Sequence, residues 1–311
     1  IYSNDFIPLT DLRFTNPFEE EIFTKLDSSS DIDFLSFFIS ASNKDSVFYE
    51  EVRTNIDAFS EEQKVSAEKP PKKIIKVLTK EIPDTYFDKY QYENEFVSIF
   101  NDKQYNCVSG SALYAFVFDN LKIPYEIHEY PTHITLVSYP NTEDIAVEST
   151  DPVNGYIKYT PKMKQEYADY LRAIKLISQE EYDEGAEVVF NKNYYNSRII
   201  SLRQLAGVQY YNLSLYAIDK TEIPEAADYA AKSYYLYPSE QTAAIVIAAA
   251  ATIVEATDFE EDYFYYFKLL LYQVPEYEGT LTALINKDWK IIGTLRNEPK
   301  KQALSYYLAA A

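Results

Sequence analysis

The sequence predicts an α+β protein: a helix packed on a small antiparallel sheet, flanked by helices and followed by an all-helical domain. Three observations carry this. Gly is scarce, at 6 residues, while 31 Tyr recur at regular spacing, which favours long helices over tight β-turns. Short alternating runs cluster between residues 125 and 150 and read as strands. Beyond about residue 195 the pattern is helical throughout.

At 311 residues the chain is too long for one small core. It divides by pattern into an N-terminal helical region (1–69), a mixed core (70–194) and a C-terminal helical domain (195–311). In the first region, Phe18–Leu26 and Ser46–Phe59 carry apolar residues at helical spacing. Pro70-Pro71 opens a helix over Lys72–Ile82, since proline is tolerated in a first helical turn, and Pro83 is expected to end it. Tyr86–Phe100 reads as a further helix.

In the core, Val108–Leu121 is helical, with Leu113, Phe116, Val117 and Leu121 inward, and Ile123-Pro124 breaks it. Tyr125–Glu129, His133–Tyr139 and Asp144–Thr150 read as antiparallel strands, the last two joined through Pro140-Asn141-Thr142-Glu143. Thr160-Pro161 then caps a new helix, and Ser178-Gln179-Glu180-Glu181 has the form of a capping box. Thr242–Val254 is apolar but too short to span a bilayer, so it reads as a buried helix.

The formal net charge of −20 argues against nucleic acid or anionic lipid as partners, because both would be repelled. A single Cys excludes an intrachain disulfide, and with only two His no Cys-rich zinc site is possible. No loop of regularly spaced acidic ligands marks a calcium site. No cofactor, metal or integral membrane segment is therefore expected. The chain starts at Ile1, which implies a trimmed N-terminus, and no signal peptide is read in it.

The chemistry concentrates around Cys107. It stands where a helix begins, and free N–H groups with a partial positive charge favour a thiolate there. The same N–H groups can hold an oxyanion, with Val108 and the side chain of Gln104 as candidate donors. A nucleophilic Cys needs a base, and that base an orienting group. His133 opens a strand; if residues 139 and 144 are opposite, paired numbers sum to about 283, which sets Glu148 diagonally beside His133. Asp151 would project to the other face, and a slip of one residue would exchange the two acids. The same parity argument makes His128 a surface residue away from the face of His133.

Taken together, Cys107, the following helix, Asn120-Leu121-Lys122-Ile123-Pro124-Tyr125, His133 and Val147-Glu148-Ser149-Thr150 resemble a transglutaminase-like core over about 70–160. The resemblance implies a papain-like fold and a Cys–His–acid triad on Cys107, His133 and Glu148. It departs from the family where Lys122 replaces Gly, so this turn is expected to avoid a left-handed conformation, and where Glu replaces Asp. More closely, the chain is similar to bacterial proteins of the Bacteroidetes type that join such a core to helical repeats. That likeness implies export to the periplasm or envelope.

In the C-terminal part, Tyr210-Tyr211-Asn212-Leu213-Ser214, then Glu225-Ala226, Ala230, Ser233 and Pro238, resemble a tetratricopeptide (TPR) repeat of about 34 residues. A second hairpin is read over about 241–275. The expected activity is hydrolysis of peptide or side-chain amides through a thioester, with transamidation left open. Two rivals stand beside it. One is an inactive scaffold whose TPR-like helices bind a peptide or protein, and the other is a structural protein of the envelope.

Overall fold

The computed structural model describes residues 7–26, 32–151, 155–193, 197–256, 265, 266 and 269. Trp289, Pro275 and the later part of the second expected hairpin lie outside them. Two compact units are present: of the described residues, those between 14 and 212 form one, and 7–13 with those from 213 onward form the other. The sequence boundaries at 69/70 and 194/195 do not coincide with this division. The early helices join the sheet-bearing unit because their apolar faces pack with it: the third helix below lies against the sixth.

That larger unit runs α1 (Pro17–Leu26), α2 (Leu35–Ala41), α3 (Ser46–Ala67), α4 (Pro71–Tyr86), β1 (Lys89–Tyr90), α5 (Ser98–Asp102), β2 (Gln104–Tyr105) and α6 (Cys107–Leu121). It continues through β3 (Tyr125–Tyr130), β4 (His133–Ser138), β5 (Ile145–Val147), β6 (Tyr156–Lys158), α7 (Pro161–Ala173), α8 (Gln179–Asp183), α9 (Ala186–Asn193) and β7 (Arg198–Ile200). The helix α10 (Leu202–Asp219) carries the chain on to α11 (Ile223–Leu236) and α12 (Glu240–Ala256).

Five strands form an antiparallel sheet in the order β6-β5-β4-β3-β7. In the β4–β5 pair Leu136 faces Val147, Val137 faces Ala146 and Ser138 faces Ile145. This is the register that a turn between 139 and 144 dictates. The turn is made by three residues with positive φ, Tyr139, Asn141 and Asp144. Side chains alternate from it, so Val137 and Ala146 share a face with Tyr159 and Phe190, against which Met163 and Tyr167 of α7 pack.

Helix α6 is the spine of the core. Every residue from Val108 to Phe118 is buried, and the helix packs on α3 and β4. Full burial of one Phe or Leu is worth about 1.5–3 kcal/mol, so this helix is fixed by packing on all sides rather than by one apolar stripe. Gly110 allows the close approach: a Cβ there would stand 3.0 Å from Cβ of Ser149.

Four local expectations are corrected. Pro83 lies inside α4, which continues to Tyr86, and the Phe87 N–H still bonds the Pro83 carbonyl at 3.0 Å. Residues 86–100 are not one helix but hold β1 and the start of α5, with β1 paired in parallel to β2. The carbonyls of Tyr92 and Asn94 receive bonds from the Asn106 amide and so are drawn onto the start of α6. Lys122 adopts the left-handed conformation, φ 58°, because this turns the next N–H, that of Ile123, back to the Phe118 carbonyl at 2.9 Å and closes α6. His128 is buried, not exposed: it faces Thr135 across β3–β4, on the face that also carries His133, and bonds Ser197 and Glu126.

In the second unit, α11 and α12 pack on each other. Ser214, Ala226, Ala230 and Ser233 are buried, and Ser214 Oγ donates to the Ala226 carbonyl at 2.7 Å. Along α12, Ile245, Val246, Ala249, Ala250 and Ile253 are buried at helical spacing. No helix among the described residues is long and apolar enough to cross a membrane.

Candidate active site

Asn106 sets the position of the candidate nucleophile. It is extended (φ −132°, ψ −173°) and caps α6: its Oδ1 accepts from Ser109 N, and Ser109 Oγ accepts from Asn106 N, both at 2.9 Å. Ser109 Oγ also donates to Asn94 Oδ1 at 3.2 Å. The Gly110 N–H bonds the Asn106 carbonyl at 2.9 Å. Among the described residues, the N–H groups of Cys107 and Val108 have no recorded partner. They therefore remain available at the positive end of the helix dipole. The Cys107 thiol is free and half-buried.

His133 opens β4, opposite Tyr130. Its Nε2 lies 2.8 Å from Glu148 Oε2. Glu148 follows β5 directly, and its N–H bonds the Gly155 carbonyl at 3.0 Å. The other oxygen, Oε1, accepts from Thr150 Oγ1 at 2.6 Å and from Thr150 N at 3.1 Å. Both carboxylate oxygens are thus engaged, which fixes the plane of the acid and through it the imidazole.

The electrostatics follow from this arrangement. A hydrogen bond with Cys107, then one with Glu148, raises His133 to about 10, against the opposing effect of partial burial. Burial alone would push Glu148 up, but His133 and Thr150 outweigh it and hold the carboxyl below its ordinary value. With its Nε2 given to Glu148, the imidazole has Nδ1 left to serve Cys107.

Of the sequence candidates, Cys107, His133 and Glu148 are brought together. Glu148 is hydrogen-bonded to the imidazole; for Asp151, the backbone carbonyl accepts from Gly155 N at 2.7 Å. Val108 presents its backbone N–H while its side chain is buried. Gln104 pairs with Lys89, and alternation puts its side chain on the opposite face of the ribbon from Tyr105. Sequence reasoning missed Thr150 as the support of the acid. Its hydroxyl two residues beyond Glu148, able to fold back on a carboxylate, was the available signal. It also missed Tyr90, Tyr92 and Asn94, which were assigned to a helix.

A cavity of about 470 Å³ lined by Phe34, Asp119, Pro124, Tyr125 and Ile199 lies at the far end of β3 from Tyr130 and His133, and contains none of the three. Among the described residues no His, Cys, Asp and Glu cluster can hold a metal ion. The chain matches no family model, and comparison with curated proteins and with solved structures returns no significant match.

Proposed function

We propose that the protein is a cysteine hydrolase of transglutaminase-like type, acting on peptide or side-chain amides. One observation carries the reading: His133 Nε2 bonds a carboxylate held on both oxygens, and the imidazole lies near enough to Cys107 for the thiol to favour its charged form. A chance buried thiol needs no such base, and a structural His needs no such thiol.

The chemistry then runs in two halves. Cys107 Sγ attacks the carbonyl carbon, and the proton of the thiol resides on His133. The carbonyl electron pair moves to oxygen, which the free N–H groups at the start of α6 receive. On collapse the C–N bond breaks, His133 protonates the leaving amine, and a thioester on Cys107 remains. Water, deprotonated by the now neutral His133, releases the acid; an amine in its place gives transamidation. Glu148 holds the imidazole tautomer and stabilises its cationic form. On this reading α6 and the sheet form a papain-like core.

The test is alkylation of Cys107 by iodoacetamide at pH 6–7, wild type against His133→Ala. The expected result is a rate at least about tenfold lower in the variant, because the imidazole partner of the thiolate is gone. Equal, slow rates in both proteins would sink the reading.

A second reading draws on the buried small residues between α10 and α11. They are consistent with a TPR-like hairpin, and so with a protein that binds a peptide or protein partner through its helices. It predicts that partner capture survives Cys107→Ala.

A further inference from the structure

We propose that the Tyr90 hydroxyl is the side-chain donor that holds the carbonyl oxygen when Cys107 attacks. This rests on the hydrolase reading above and adds a residue to it.

The placement comes from the β1–β2 ribbon. Tyr90 lies opposite Tyr105 in parallel register, two residues before Cys107, and its ring meets Tyr105 edge-on with centroids 5.9 Å apart. Tyr105 is itself immobilised: it is buried and stacks on Phe87 at 4.1 Å with the rings 12° from parallel. The ribbon is pinned to the nucleophile's own helix cap. Gln91 N bonds the Tyr105 carbonyl at 2.9 Å, and Asn106 Nδ2 bonds the Tyr92 carbonyl at 3.2 Å. Tyr90 is therefore positioned by the same residues that position Cys107.

The residue is 45 % exposed, so part of it is open to a substrate. Its pairing with Tyr105 sets Tyr90 beside the start of α6, where the charges of Cys107 and Glu148 are felt at its hydroxyl. Burial, then the charges of Cys107, Tyr92, Tyr105 and Glu148, raise it above its ordinary value of 10, so it stays protonated and able to donate at neutral pH. Gln104, the side-chain donor that the sequence offers, is on the other face of the ribbon. In the reaction Tyr90 loses no proton. Its O–H bonds the oxygen as the Sγ–C bond forms and the carbonyl electron pair shifts onto oxygen, and releases it as the C–N or C–O bond breaks.

Tyr90→Phe separates this role from packing, because the ring is kept. Two reactions of Cys107 are compared in the full chain. Alkylation by iodoacetamide creates no oxyanion; acylation by p-nitrophenyl acetate does. Since Cys107 is the only cysteine, nitrophenol release that prior alkylation abolishes belongs to it. The expected result is alkylation within about twofold of wild type and acylation slowed by about 100-fold. Unchanged acylation overturns the proposal and leaves the triad standing. An equal fall in both reactions also overturns it, by making Tyr90 a structural residue. A wild-type Cys107 that is neither alkylated nor acylated in a His133-dependent way removes the hydrolase reading, and this inference with it.

Discussion

Glu148 reaches His133 across the end of the β4–β5 ladder, Oε2 to Nε2 at 2.8 Å, from a position one residue beyond the last paired one. The acid is therefore held less by the strand than by Thr150 and by the Gly155 carbonyl. Glu148→Gln keeps the shape but can present either its amide nitrogen or its oxygen to the imidazole. Acylation of Cys107 is expected to fall by about 100-fold or more, as when the acid of a triad is neutralised. Thr150→Val is expected to cause a smaller loss, of about tenfold, by freeing the carboxylate to rotate. Burst kinetics on both variants measure this; a Glu148→Gln burst equal to wild type would remove the acid from the mechanism.

His133, set between Cys107 and Glu148, also predicts a pH dependence of stability. His133 is raised to about 10 in the fold, above its ordinary 6.5. Its contribution is fully present below about pH 6.5 and is lost as pH rises through about 10. Glu148 is depressed, so its contribution is present above 4.5 and is lost as pH falls through its folded value. The stability difference between wild type and His133→Ala is expected to shrink between pH 7 and 10. Urea titrations across that window check the sign.

Gly155 is a tighter constraint than its place in a turn indicates. Its φ is +58°, and an added Cβ would sit 2.8 Å from Cβ of Thr79. Gly155→Ala must both strain the backbone and push on α4, a cost of about 1–3 kcal/mol. Because the Gly155 carbonyl bonds Glu148 N, the substitution is also expected to slow alkylation of Cys107. A urea midpoint unchanged from wild type would contradict the first expectation.

Lys122 holds a left-handed conformation that an L side chain adopts at a cost. Lys122→Gly removes that strain at the end of α6 and is expected to stabilise the protein by up to about 1 kcal/mol. Thermal unfolding at fixed pH measures it, and a fall in the midpoint would count against the argument.

The legible parts of the fold were those set by near neighbours in sequence. The Asn141 turn fixes which residues of β4 and β5 face each other, and hence which acid stands near His133. Thr160 and Ser178 cap α7 and α8 through their own side chains, bonding Met163 N and Glu181 N. The illegible parts depend on distant segments. The β1–β2 ribbon has two residues per strand, too few for any periodicity, and forms because Asn106 captures the carbonyls of Tyr92 and Asn94. The burial of His128 depends on β7, which returns to pair with β3. Lys122 misled because sequence alone prices the left-handed residue but not the helix closure that requires it.

The sheet's outer strands have a consequence for how the protein behaves when concentrated. β6 and β7 are each three residues long, although each shows the solvent an isoleucine, Ile157 and Ile199. Such an edge would ordinarily invite a neighbouring molecule to extend the ladder. Three residues offer too short a template for that, and each strand also carries a basic residue, Lys158 or Arg198, so strand-by-strand growth into fibrils is disfavoured at both edges by brevity and by charge.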